Sequence, residues 1–395
     1  MSSLCVLGRQ PALGLAELES VFGAKNLSRV ATEVARLSVP AQKIAGRPLG
    51  GAIKTATILA DMPLGNIEAV LEALPTVLAD ELAAMPEGKL RLGISLYGFR
   101  PPLGRLRQYG LSLKKRLSQQ TSRNIRIVPN KELALNSAQI TYNRLTDKLG
   151  MELLLVRSGE STIIGRTIKV QDINDYASRD QARPARDARV GMLPPKLAQI
   201  MINLAIENGT SEPAPTAPLL DPFCGSGVIL QEAALMGLDV YGTDIDPRMV
   251  EYCRRNLDWL RRQRNVAFAC RLEVADARSF AWHKPVLALA SETYLGPPLF
   301  GQPAAAKLQQ IVKQTDRLLK DFLINLAQQL EPQQRICLAV PSWRQQNGFL
   351  RLPLIDELGD LGYNLESFVH ATLNELIYHR PNQIVARQLL VLTRK

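Results

Sequence analysis

Apolar side chains recur at helical spacing over 12–22, which predicts a helix there. The run 52–59 reads equally as a short strand or a buried helix end, because periodicity does not separate the two. Residues 65–82 are helical in pattern, and 89–97 alternates as a strand does. A helix over 104–117 stops before a Gln/Ser/Thr cluster, and short strands are expected at 125–128, 152–156 and 163–170. Strands and helices alternate without a glycine-rich phosphate loop, so this half reads as α+β with no chemistry of its own.

Residues 171–190 are polar, poor in large apolar side chains and rich in arginine, and read as a linker. Pro194 and Pro195 then open a helix carrying Leu197, Ile200, Met201 and Leu204, with Gly209 suited to its end and a Pro-rich loop at 211–218. From there the pattern becomes strand, glycine turn, helix, strand. A strand ends at Asp221, the turn carries Gly225 and Gly227, and the next strand ends at Asp244. Asp246 and Pro247 start another helix as cap and first-turn proline. A third strand ends near Asp276, followed by a helix near Arg278, and a fourth strand covers 286–290. Residues 335–343 read as a buried strand, and 368–373 and 383–392 as an antiparallel pair, with Trp343 on the surface.

With 395 residues, the chain has room for two or three domains. No run approaches the ~18 consecutive apolar residues of a membrane helix. The start has no charged segment ahead of a long apolar core, so no secretory leader is expected. Five widely spaced cysteines without a Cys-x-x-Cys pair, and three histidines without ligand spacing, argue against a disulfide framework and a metal site. A reducing cytoplasm is the expected location.

The net charge is +11, and its placement matters more than its size. Residues 101–150 hold ten basic and two acidic side chains, a field that attracts polyphosphate backbones. Lys114, Lys115 and Arg116 stand at its centre. Arg179, Arg183, Arg186 and Arg189 in the 171–190 stretch are spaced to contact phosphates. The arginines of 254–264 read as a solvated face.

The glycine turn lets backbone N–H groups approach a ligand that a Cβ would block. The dinucleotide fingerprint wants a third glycine where Leu230 stands, so a nucleoside with an amino-acid tail suits the turn better than a pyrophosphate. Asp244 is placed to bind ribose hydroxyls, and Asp276 to accept an adenine amino group.

Asp221-Pro-Phe-Cys-Gly-Ser-Gly227, the Gly-Thr-Asp-Ile-Asp around Asp244 and Ala-Asp276-Ala resemble the first three motifs of a class I S-adenosylmethionine-dependent methyltransferase. The segment from Tyr176 to Gln199, the ending around 375–387 and the start around 7–18 are similar to THUMP-domain tRNA guanine-N2 methyltransferases, which act on guanosine 10. That resemblance implies a ferredoxin-like subdomain at 1–85, a THUMP-like RNA-binding domain at 86–170, an Arg-rich linker at 171–190 and a seven-stranded Rossmann-like α/β methyltransferase domain at 191–395. It implies S-adenosyl-L-methionine at Met192, Leu193, Asp221, Phe223, Cys224, Gly225, Gly227, Asp244, Ile245, Asp276 and Ala277. It also implies tRNA as partner, with no membrane and no metal. A monomer is favoured.

One departure falls where the chemistry would occur. The fourth motif of such enzymes reads Asp/Asn-Pro-Pro-Tyr, and here the chain reads Ser291-Glu292-Thr293-Tyr294. Ser291 takes the place of the acceptor for the target amine, Glu292 is a shifted carboxylate acceptor, and Tyr294 is placed to stack on a flipped base. Two other functions stay open: an amino-methyltransferase on adenine-N6 of DNA or on ribosomal RNA, and a non-catalytic RNA-binding protein that holds the cofactor.

Overall fold

The computed structural model describes residues 2–63, 65–186, 192–206, 217–299, 301–381 and 383–395. Arg189, Gly209 and most of the Pro-rich loop lie outside these described residues. The chain divides into two compact units: Met1–Pro11, Lys25–Pro48 and Ala52–Asn174, then Ala12–Ala24, Leu49–Gly51 and Asp175–Lys395.

In the first unit β1 (Ser3–Leu7), β2 (Leu27–Ala31), β3 (Val34–Leu37), β4 (Ala52–Met62), β5 (Leu90–Tyr97), β6 (Ile125–Ile127), β7 (Gly150–Ser158) and β8 (Ser161–Val170) form one sheet. Its order is β2-β3-β1-β4-β8-β7-β5-β6, so the β4–β8 ladder joins segments 1–85 and 86–170. The ambiguous run 52–59 lies within β4. Its Lys54 ammonium donates to the Glu152 carboxylate at 2.6 Å, both groups being buried. Ser95 and Thr167 hydroxyls donate to the same carboxylate. An extended strand presents Lys54 to that carboxylate on β7, and hydrogen bonding makes the buried charges tolerable.

Helix α1 (Pro11–Phe22) follows β1 and belongs to the second unit from Ala12 onward. The first unit carries α2 (Ala41–Ala45), α3 (Ile67–Val77), α4 (Ala79–Ala83), α5 (Leu103–Thr121) and α6 (Ser137–Tyr142). The single helix expected over 65–82 is split into α3, which carries Pro75 within it, and α4, which starts at Ala79. In α5 the apolar side chains Leu106, Tyr109, Leu113 and Leu117 are buried, which leaves Arg107, Lys115 and Arg116 exposed.

The second unit contains α7 (Ile173–Gln181, from Asp175 onward), α8 (Pro195–Ala205), α9 (Val228–Leu235), α10 (Pro247–Arg264) and α11 (Ala305–Ala327). Its strands are β9 (Leu219–Asp221), β10 (Val240–Asp244), β11 (Cys270–Val274), β12 (Ala288–Glu292), β13 (Arg335–Gln345), β14 (Gly348–Leu350), β15 (Tyr363–Leu365), β16 (Ile377–Tyr378) and β17 (Val385–Arg394). They run in the order β11-β10-β9-β12-β13-β17-β15, with β14 on β13 and β16 on β17. The first five are parallel and β17 is antiparallel. The chain order reverses direction between β9 and β12, and an open α/β sheet binds ligands at the strand carboxyl ends beside such a reversal.

Four expectations are corrected here. Residues 171–190 are not simply a linker, because α7 runs through them. Residues 368–373 form no strand: the Glu19 carboxylate accepts the Val369 and His370 N–H groups in place of a ladder. β15 and β16 pair with β17 instead. No helix starts at Arg278, since Asp276 caps only a turn. Trp343 is fully buried in the second unit's core rather than on the surface.

Candidate active site

Strands β9, β10 and β12 deliver three polar groups to one end of the sheet. Asp221 ends β9 and is 2% exposed. Its Oδ1 accepts the Ser291 hydroxyl at 2.6 Å and the Phe223 N–H at 3.3 Å. Burial pushes its carboxyl up to about 8, against the pull of those two donors, so it is largely neutral at pH 7.

The turn that follows is tied to β10. Cys224 N–H donates to the Thr243 carbonyl at 2.9 Å, and the Thr243 hydroxyl to the Pro222 carbonyl at 3.2 Å. Gly225 and Gly227 both have positive φ, +49° and +85°, which a side chain would strain. A Cβ on Gly225 would point into open space, whereas one on Gly227 would meet the Cys253 sulfur at 2.5 Å. Gly227 therefore serves packing, and Gly225 leaves room above the turn.

Asp244 closes the second side. Its Oδ2 accepts the Gly225 N–H at 2.9 Å and its Oδ1 the Asp246 N–H at 2.9 Å. Burial raises its carboxyl, and those N–H groups act in the other direction. Each oxygen keeps a lone pair for a further donor. Beside it Ile245 leaves an apolar side chain 64% exposed.

Asp276 is engaged on both oxygens by the Arg278 guanidinium, at 2.6–3.1 Å. An incoming amino group would have to share those oxygens. Asp276 and Arg278 also border an open cleft of about 480 Å³ against α11, lined by neither Gly225 nor Asp244. Ala277 and Leu193 are buried, Met192 is half-buried, and Phe223 packs edge-to-face on Phe322 at 4.9 Å.

The fourth-motif residues part company. Ser291 is fully buried and its hydroxyl is turned to Asp221, so it presents no acceptor to a substrate. The Glu292 carboxylate is ion-paired with the buried Arg387 of β17. Burial raises the Glu292 carboxyl and Arg387 draws it back. Glu292, expected as a shifted carboxylate acceptor, keeps one side for a guanidinium. Tyr294 is 44% exposed in the loop beyond β12, open to a stacking partner.

Two of the expected phosphate contacts are overturned by burial. Arg179 is 6% exposed and its guanidinium donates to Glu232 at 2.7 Å and 3.2 Å. Arg183 is 3% exposed, so it meets no phosphate from solvent. Arg186 is exposed and donates to the Gln181 carbonyl at 3.3 Å. Lys115 and Arg116 are exposed and Lys114 is half-buried, with Arg116 3.3 Å from Glu72. In the 254–264 face, Arg261 bridges Asp258 at 2.9 Å and Arg264 bridges Asp175 at 2.5 Å.

Arg387 and Asn256 escaped the sequence reading. Arg387 lies 95 positions from Glu292, and nothing in local spacing signals the pairing. Asn256 interrupts the apolar stripe of α10 and is fully buried, a cue that was present but unspecific. Its amide donates to the Ser226 carbonyl at 2.8 Å and exchanges two hydrogen bonds with the Ala185 backbone at 2.9 Å.

Residues 183–352 match the family model described as RMKL-like, methyltransferase domain. The tRNA (guanine(10)-N2)-dimethyltransferase of Methanothermobacter thermautotrophicus is 31% identical over 201 residues, 50% of this chain and 52% of that protein. The enzyme of the same name from Pyrococcus abyssi is 46% identical over 67 residues, 17% of this chain and 18% of that protein. The chain thus spans about half the length, or less, of these curated relatives. The crystal structure of TrmN from Thermus thermophilus superposes with a TM-score of 0.53 and 19% identity, covering 100% of both chains. A possible methylase from Clostridium difficile 630 follows at 0.51 and 13%, over 86% of this chain and 89% of that one. The open space at Gly225 and the spare lone pairs of Asp244 fit the nucleoside of S-adenosylmethionine, the methyl donor of this fold. The second unit has the class I methyltransferase fold, and residues 183–352 within it match the RMKL-like methyltransferase family.

Proposed function

We propose that this protein transfers a methyl group from S-adenosylmethionine to the exocyclic N2 of a guanosine in tRNA, at position 10. The observation that carries the reading is the junction of Asp221, Gly225 and Asp244 at the sheet's reversal point. The names of the curated relatives supply the substrate. Bound there, the cofactor supplies an electrophilic methyl on a sulfonium.

The chain's own residues position and polarise. Asp244 holds ribose hydroxyls and Ile245 lies against the base. Tyr294 stacks on the flipped guanine, worth ~1–3 kcal/mol. The amine lone pair is delocalised into its ring, and an acceptor must draw it out of plane. Glu292, ion-paired with Arg387, is that acceptor together with backbone carbonyls of the β12 loop. In this reading the α+β half 1–170 grips tRNA, with α5 facing the phosphates, and the protein works in the cytoplasm.

Mass spectrometry of nucleosides from tRNA of cells with and without the gene tests the proposal. Loss of N2-methylguanosine or its dimethyl form supports it, and unchanged tRNA nucleosides overturn it. One observation favours a second reading. With Ser291 bonded inward and Glu292 paired, the site suits a cofactor-holding RNA-binding protein without catalysis. Labelled cofactor with tRNA, ribosomal RNA and DNA in one vessel separates the two: tritium on tRNA favours the enzyme, and tritium on none favours the binder.

A further inference from the structure

Arg278 crowds the Asp276 carboxylate. Oδ1 accepts the Arg278 backbone N–H at 3.0 Å and its Nε–H at 3.0 Å. Oδ2 accepts the Nε–H at 3.1 Å and an Nη–H at 2.6 Å. A carboxylate offers about four lone-pair sites, so these contacts leave none unshared. Asp244 differs, with one N–H on each oxygen. The two acids belong to neighbouring strand ends: β11 pairs with β10, and the Ala275 N–H donates to the Asp244 carbonyl at 3.0 Å. Arg248 folds back on Asp246 in the same way, but there the carboxylate caps α10. Asp276 caps only a turn, so its oxygens have no helix to hold.

Arg278 has a second acid within its surroundings. Its side chain is 46% exposed and borders the open cleft of about 480 Å³ against α11. Asp321 of α11 borders the same cleft, is exposed and is in no ion pair among the described residues. Hydrogen bonds to Asp276 raise the Arg278 group above the ordinary arginine range, and the Asp321 charge adds to that pull. Ion pairs this exposed are weak, so moving the guanidinium from one acid to the other costs little.

Resting on the cofactor reading above, with adenine at Asp276, we infer that Arg278 competes with the adenine amino group for the Asp276 carboxylate and that Asp321 receives the displaced guanidinium. The amine needs one lone pair. Giving it up removes side-chain contacts from Arg278, and the cleft lets the charge find Asp321 instead. A base without the amine makes no such demand. Arg278 is thereby a specificity-determining residue for the cofactor's base, and Asp321 a positioning residue that acts through it.

Calorimetric titration with S-adenosylhomocysteine, and with its analogue carrying purine in place of adenine, tests this without any turnover. Arg278→Met should bind S-adenosylhomocysteine about two- to fivefold more tightly than the parent, the scale of a lost exposed ion pair, and the purine analogue equally well. Asp321→Asn should weaken S-adenosylhomocysteine by a similar factor and leave the purine analogue unchanged. In the double variant the Asp321→Asn effect should vanish, because no guanidinium remains to be received. Both side chains are exposed, so neither substitution opens the core. Unchanged or weaker S-adenosylhomocysteine binding in Arg278→Met overturns the inference, as does an equal gain for both ligands. An Asp321→Asn effect that survives in the double variant overturns it too. If Arg278→Met binds the two ligands with the same affinity, the amine does not reach Asp276, and the placement of adenine fails with the inference. A parent that binds neither ligand overturns the cofactor assignment itself.

Discussion

Each oxygen of the Asp244 carboxylate accepts one backbone N–H, so the residue both shapes the glycine turn and faces the open space above it. Asp244→Ala should weaken S-adenosylhomocysteine binding by ~1–3 kcal/mol, read by calorimetry, with the unit still folded. Glu292 has two duties of a different kind. Glu292→Gln should slow single-turnover methyl transfer by ~10²–10³ if its charge draws out the amine. It also strands a buried guanidinium, which typically costs ~3–5 kcal/mol of stability. Thermal unfolding reports the second effect and rapid-quench transfer the first. A destabilised variant that transfers at the parental rate would leave Glu292 a purely structural partner of Arg387. The placement of Asp244 is legible in the sequence because it follows a glycine turn and ends a strand, both local patterns. The pairing of Glu292 is not, because its partner arrives from a strand laid down last.

At the scale of elements, α5 and α7 show the same residue type doing opposite work. Both carry basic side chains, but α5 presents Lys115 to solvent while α7 buries its one arginine, Arg179. If α5 meets phosphates, reversing Lys114 and Lys115 should lower the log–log salt slope of tRNA binding by roughly 0.7–0.9 per contact. Equal slopes in filter binding would return the helix to a solvated face. Arg179→Met should leave that slope unchanged and instead destabilise the second unit by ~3–5 kcal/mol, because Glu232 loses its buried counter-ion. Chemical denaturation followed by circular dichroism reads that loss. Charge spacing alone suggested phosphate contacts for both segments; only the packing of α7 against α9 removes Arg179 from the surface.

For the whole molecule, the buried Asp221 links folding to pH. Its carboxyl is raised from 3.8 to about 8 in the folded state. A raised carboxyl gives stability that is complete below the unfolded value and is lost as pH rises through about 8, since the folded state holds the proton longer. Asp221→Asn mimics the neutral form, so its thermal midpoint should change less than the parent's between pH 5 and 9. Each kcal/mol corresponds to about 2–4 °C for a unit of this size. Parallel curves would mean that Asp221 is ionised in the fold. The sequence by itself determined the alternation of strand, glycine turn and helix from Asp221 to Asp276. It also determined the acidic strand ends and the departure at Ser291, because strand period, turn chemistry and caps are local. The tertiary structure alone decided which charges are spent inside. Ser291 turns to Asp221, Glu292 to Arg387 and Arg179 to Glu232, while Arg183 has no carboxylate closer than Asp180. Those outcomes depend on burial and on partners tens of residues away, and neither is written in spacing along the chain.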